Sequence, residues 1–234
     1  SLQYLRSFGR FSSIDAKLQF LSQNGNDITS YGLSDFYFNA NWKLYRSLVL
    51  TTGIKLPLIN GDIESDLGAL PMDYQPSLGT VDAILGFSYS IKKLQLNLVA
   101  QQPLSDNENQ FLVENHPPNS VLREFQSTNH YKRKGDVMLR VSYALPMGSR
   151  ATVSPSIQPV YHLGNDEYTD ISGNTLEIEG SDGLTLNLNL HIHVRLSRHN
   201  AIALGLGAPV ITRDVRPDGL TRSFVAGLDY QFRF

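Results

Sequence analysis

The sequence predicts an all-β chain: a single antiparallel transmembrane β-barrel of about ten strands, with twelve also compatible. It fills residues 1–234 as one domain, with 1–8 as a lead segment. Three observations predict it. Apolar and polar residues alternate from one end of the chain to the other, and its connections alternate between short and long. No apolar run approaches the ~18 residues that a membrane-spanning helix requires. Hydrophobic residues are 41% of the 234, and a barrel needs no long run, because only every second strand residue meets lipid. A net charge of −2 argues against a nucleic-acid partner, and the lack of cysteine suits an oxidising compartment. Ser1 opens the chain without a charged-then-apolar leader, which reads as a signal peptide removed or omitted.

Parity justifies each element in turn. The first stretch, 9–23, turns Asp15 and Lys17 inward. The second, 30–45, sets Phe36, Phe38, Ala40, Trp42 and Leu44 against Asp35, Tyr37, Asn39, Asn41 and Lys43. The third, 47–59, turns Lys55 inward, and the fourth, 78–91, turns Asp82 inward; the fifth, 94–104, alternates likewise. In the sixth, 130–146, Val137, Leu139, Val141, Tyr143 and Leu145 oppose Asp136, Met138, Arg140, Ser142 and Ala144. The seventh spans 150–163. The eighth, 183–196, has Leu184, Leu186, Leu188, Leu190, Ile192, Val194 and Leu196 against Thr185, Asn187, Asn189, His191, His193 and Arg195. The ninth, 200–211, presents Ala201, Ala203, Gly205 and Gly207 inward, and the tenth, 220–234, places Asp229 and Arg233 inward. Each stretch holds at least the roughly 9–11 residues that a tilted strand needs to cross a bilayer.

Connections agree with this. Tight turns fall near Tyr45–Ser47, Lys92-Lys93, Met147–Arg150 and Ser197–Asn200, and longer loops near 22–29, 60–77, 105–129, 164–182 and 212–219. Short turns on one rim and long loops on the other predict a periplasmic and an extracellular side, with both chain ends of ten strands at the periplasmic rim. Loops 60–77 and 164–182 hold ten of the chain's 22 acids, whereas the tight turns carry Arg46, Lys92, Lys93, Arg150 and Arg198. Solvated loops are the plain explanation of the acids; divalent-cation binding beside lipopolysaccharide is the sharper one. In loop 105–129, Asn119 or Ser120 before Val-Leu-Arg-Glu predicts a capped helical turn in a segment able to plug or cover the mouth.

The closing strand carries Tyr230, Phe232 and a terminal Phe234, and resembles the C-terminal insertion signal of bacterial outer-membrane barrels. A soluble barrel would also alternate, with its faces reversed; aromatics near strand ends, such as Trp42, favour the membrane. Tyr31–Ala40, Thr52–Pro57 and Ser77–Asp82 resemble the outer-membrane family named for a phenol meta-degradation pathway, over roughly residues 30–105 and the closing strands. That resemblance implies an outer-membrane transporter, with outer-membrane lipid, lipopolysaccharide and the barrel-assembly machinery as partners and other outer-membrane proteins as candidates. It brings no catalytic or binding residues and no cofactor. Two functions from different classes are expected from it and from the interior: passive passage of a small or apolar solute, or a non-conducting accessory or scaffold role in an outer-membrane complex.

The predicted interior is a polar network of Asp15, Lys17, Asp35, Lys43, Lys55, Asp82, Asp136, Arg140, His191, His193, Arg195, Asp229 and Arg233. Its near-neutral balance and the narrowness of ten strands predict paired charges with little free lumen. Arg195 is expected to reach over the small residues of the ninth stretch to Asp229. His191 and His193 share a face, a feasible metal pair, but register puts His191 opposite about Ser154 and leaves His162 some eight residues away. No Asp-x-Asp or Asp-x-His pair occurs, and no Ser lies two residues after a His162, His191 or His193, so the sequence predicts no enzyme.

Overall fold

The computed structural model describes residues 1–25, 28–219 and 223–232. The chain is all-β, with 60% strand and 4% in short helical turns. In order the strands are β1 (Leu2–Phe8), β2 (Ser12–Gly25), β3 (Ile28–Tyr45), β4 (Leu48–Pro57), β5 (Glu64–Ser65), β6 (Gly68–Ala69), β7 (Asp82–Ile91) and β8 (Leu94–Pro103). They continue as β9 (Asp136–Tyr143), β10 (Leu145–Met147), β11 (Ala151–His162), β12 (Glu167–Thr169), β13 (Thr175–Glu177), β14 (Gly183–Arg195), β15 (Asn200–Ile211) and β16 (Val225–Phe232). One antiparallel sheet runs β1-β2-β3-β4-β7-β8-β9-β11-β14-β15-β16, with β10 paired to β11, and it curls strongly into a half-barrel. The pairs β5-β6 and β12-β13 are small hairpins within the loops.

All ten expected stretches appear as sheet strands, the sixth as β9 with β10. The lead segment differs. Residues 2–8 pair with β2 from Leu2↔Leu18 to Phe8↔Ser12, across a turn where Gly9 takes the positive φ of +65° that glycine tolerates. The path therefore holds eleven strands, and β1 and β16 run the same way. The expectation that both ends of the sheet path meet at the tight-turn rim is corrected: β16 finishes there, while β1 starts toward the other rim.

Register fixes which residues share a face. Lys17 lies opposite Tyr37, Tyr37 opposite Lys55, and Lys55 opposite Asp82; Gln101 lies opposite Asp136, and Asp136 opposite His162. This polar face is the inner one, over which the loops pack. The other face carries Leu85, Phe87, Leu98, Leu139, Ile157, Leu184 and Leu188, all between 38 and 49% exposed. The sheet thus leaves its apolar face uncovered.

Close packing occurs in the loops instead. Segments 58–81, 104–135 and 163–182 fold with 212–219 into a cap at one end of the sheet. Ile28, Leu70, Tyr74, Phe111 and Leu122 form one apolar cluster there; Met72, Leu78, Tyr131 and Ile178 form the other.

Candidate functional site

Where the cap meets the wall, a belt of charge crosses consecutive strands. Its first half is built on β3, β4 and β7. The Lys55 ammonium is fully buried, 2.9 Å from Asp82, 3.9 Å from Asp35 and 3.1 Å from the Thr80 hydroxyl. Thr80 donates to Asp82 at 2.6 Å, Gln101 on β8 donates to the other Asp82 oxygen, and Ser77 donates to Asp35 at 2.5 Å. A buried ammonium between two carboxylates is tolerable because each group finds a charged or hydrogen-bonding partner.

The second half joins β9 and β11 to the cap. His162 Nδ1 lies 2.7 Å from Asp136 and its Nε2 lies 2.8 Å from Asp166. An imidazole donates at both nitrogens only as the imidazolium, and in that form His162 clasps wall to cap through both carboxylates. Arg133 pairs with Asp136 and with Asp218, and Arg213 reaches Asp218 at 2.9 Å. Tyr131 donates to Asp166 at 2.6 Å. Burial pushes the Tyr131 hydroxyl well above its ordinary pKa, and Asp166 adds to that. Burial works against the Arg133 charge, yet Asp136 and Asp218 hold its pKa above the usual range. Asp166 also accepts from the Lys134 backbone at 2.8 Å, a further tie within the cap.

Below the belt the inner face is lined by thinner contacts. Asp15 accepts from Gln3, Arg140 donates to Ser156 at 3.2 Å, Lys17 sits in the row of Tyr37, and Lys43 is exposed near the tight turns. His191 lies opposite Ser154 and His193 opposite Thr152, the register that the sequence predicts. Among the described residues no three His, Cys, Asp or Glu side chains come together to hold a metal. Several carboxylates of the acidic loops already have partners. Asp166 there is spent on His162, Tyr131 and Lys134, Glu167 pairs with Lys134, and Asp170 accepts from the Asn174 backbone in its own turn.

The Arg195–Asp229 bridge does not form. Arg195 stands opposite Ala201 but Asp229 stands opposite Ala203, and the guanidinium turns away to donate to the Ser149 carbonyl at 2.6 Å. The small residues of β15 serve β14 differently. A Cβ on Gly205 would come within 3.3 Å of the His191 ring, and one on Gly207 within 2.6 Å of Asn189 Oδ1. Tyr230 and Phe232 are exposed, and Tyr230 donates to Asn200 at 2.6 Å. Arg233 and Phe234 lie outside the described residues.

Alternation did not reveal Asp166, Arg213 or Asp218, which sit in loops without periodicity, and the sixth stretch, 130–146, wrongly placed Tyr131 and Arg133 in a strand that starts only at Asp136. One signal existed for Arg133. Gly135 interrupts the expected sixth stretch, where a Cβ would meet Gln102 Oε1 at 2.5 Å, so the strand starts only at Asp136 and the preceding basic run folds back. Ser120 does cap the turn Val121–Glu124, accepting from the Leu122 backbone at 3.2 Å.

No protein-family model matches the chain, and no curated protein matches it.

Proposed function

We propose that this chain forms the wall of an outer-membrane β-barrel with its tight turns on the periplasmic side, and that it lets a small or apolar solute pass under a loop cap. One observation carries the membrane reading: the strand residues facing away from the polar belt are Leu, Phe, Tyr and Ile, left substantially exposed, while charges are buried on the inner face. Water penalises a continuous apolar surface of this kind and hydrocarbon does not. Because β1 and β16 run the same way, a ring closed by antiparallel pairing takes an odd number of further strands between them. The protein acts in this reading without catalysis or cofactor.

A specific observation favours the second reading, a non-conducting accessory or scaffold subunit. The cap is tied down by two apolar clusters and by the ion pairs of Asp136, Asp166 and Asp218, which obstruct the inner face at that end.

The chain's one tryptophan, Trp42, sits on the outer face. In vesicles, brominated acyl chains are expected to quench its fluorescence; emission indifferent to brominated lipid would reject the membrane reading. Solute uptake by the same vesicles separates the two functions. Passage should rise when His162→Gln weakens the clasp between wall and cap, and silence of both proteins would leave the non-conducting role.

A further inference from the structure

The belt accounts for the cations at the capped end of the inner face. The cations at the opposite end are unaccounted for. There the β10–β11 and β14–β15 turns border an open pocket of about 280 Å³ whose lining includes the exposed Arg150, Arg195, Arg198 and His199 with Thr152 and His193, and no Asp or Glu.

The sequence builds this pocket by register. Ala151 pairs with Val194, which sets the two turns side by side, and the Arg195 backbone donates to the Arg150 carbonyl at 2.8 Å. The Arg195 guanidinium spends one donor on Ser149, out of the five it owns. Ser197 Oγ accepts from the backbone of His199 at 3.2 Å and of Asn200 at 3.1 Å, which fixes the second turn. Ala201, opposite Arg195, lines the pocket with a small side chain.

Charge sets the pocket apart from the belt at the capped end. Lys55, Arg133, Arg213 and His162 each meet a carboxylate. Among the described residues, the Arg150 and Arg198 side chains meet none, and Asp229, on the row of His193 and Ala203, is not part of the lining. Like charges held together raise one another's energy, and an anion seated among them removes that cost. Guanidinium groups also present paired donors matched to tetrahedral and planar oxyanions. The other tight turns carry Arg10, Arg46, Lys92 and Lys93 and no acid, and none of these residues lines the pocket.

We propose that this pocket at the tight-turn end of the inner face is an oxyanion site, shaped for a phosphate group held by Arg150, Arg195 and Arg198. The phosphate belongs either to a free solute or to a phospholipid headgroup, and the site exists in both cases whether or not the barrel conducts.

The test uses the folded protein in a non-ionic detergent, with inorganic phosphate as the probe in equilibrium dialysis at low salt. Saturable binding is expected, weakened about tenfold by Arg150→Gln and by Arg198→Gln, in line with the loss of one charge-assisted hydrogen bond. Neither side chain bonds within the described residues, so folding, checked by circular dichroism, should persist. Lys92→Gln, on a turn that does not line the pocket, should leave binding unchanged. Competition by short-chain phosphatidylglycerol but not by phosphatidylcholine would assign the site to a lipid headgroup; phosphate binding indifferent to both lipids would assign it to a solute. Absence of saturable binding, or equal weakening by Lys92→Gln, would overturn the proposal and leave the membrane reading untouched, because the measurement needs neither bilayer nor passage.

Discussion

Lys55 shows at the scale of one residue how the inner face tolerates charge. Its fully buried ammonium lies between Asp82 and Asp35, and Thr80 completes its shell. Lys55→Met leaves two carboxylates facing each other without a cation. A loss of about 3–5 kcal/mol is expected in urea unfolding of the detergent-folded protein. Adding Asp82→Asn to Lys55→Met should recover a large part of it, because the uncompensated charge is what costs. Asp73, in the cap, makes a pH-dependent contribution of the opposite kind. Burial, helped by Asp218 and opposed by Arg216, pushes its carboxyl up to about 6. Between the ordinary carboxyl value and about 6, folded Asp73 holds a proton that the unfolded segment has released, so its contribution to stability falls as pH rises through that window. Hydrogen exchange in segment 58–81 should therefore be slower in Asp73→Asn than in the wild type at pH 7, and the two should converge toward pH 4. Equal protection at both values would remove Asp73 from this role.

At the scale of elements, strands and loops differ in how much of them the sequence discloses. Strand faces are legible because a side chain's direction follows from parity alone. Leu184 through Val194 against Thr185 through Arg195 could be assigned without any partner, and the pairing of His191 with Ser154 followed from counting. The cap is not legible that way. Asp166 looks like one more solvated acid in a loop, and only the approach of His162, Tyr131 and Lys134 makes it a buried junction. The Arg195–Asp229 expectation failed on register: the two stand opposite residues two apart on β15, and the guanidinium donates to the Ser149 carbonyl instead. β1 was missed because seven residues are too few for alternation to stand out. The cap also behaves as a separate packing unit. Leu122 is fully buried in its apolar cluster, so Leu122→Ala should cost the cap about 2–5 kcal/mol. Proteolysis within 104–135 should accelerate while the strand signal in circular dichroism persists; simultaneous loss of both would mean that cap and wall fold as one.

For the whole molecule, the two ends of the sheet carry different chemistry. One end pairs the belt's cations with carboxylates under a packed cap; at the other, Arg150 and Arg198 meet no carboxylate among the described residues. Between them the outer face is apolar from β3 to β14. The strand count adds a restriction on assembly. Rotation about an axis along the sheet's curl preserves strand direction, so two copies oriented alike would bring β16 of one against β1 of the other in parallel. Such seams have slanted, slightly weaker hydrogen bonds than every other junction in this sheet. A homomeric ring made from this path alone would thus carry its weakest joints at the subunit boundaries, and an antiparallel seam requires strands supplied in odd number.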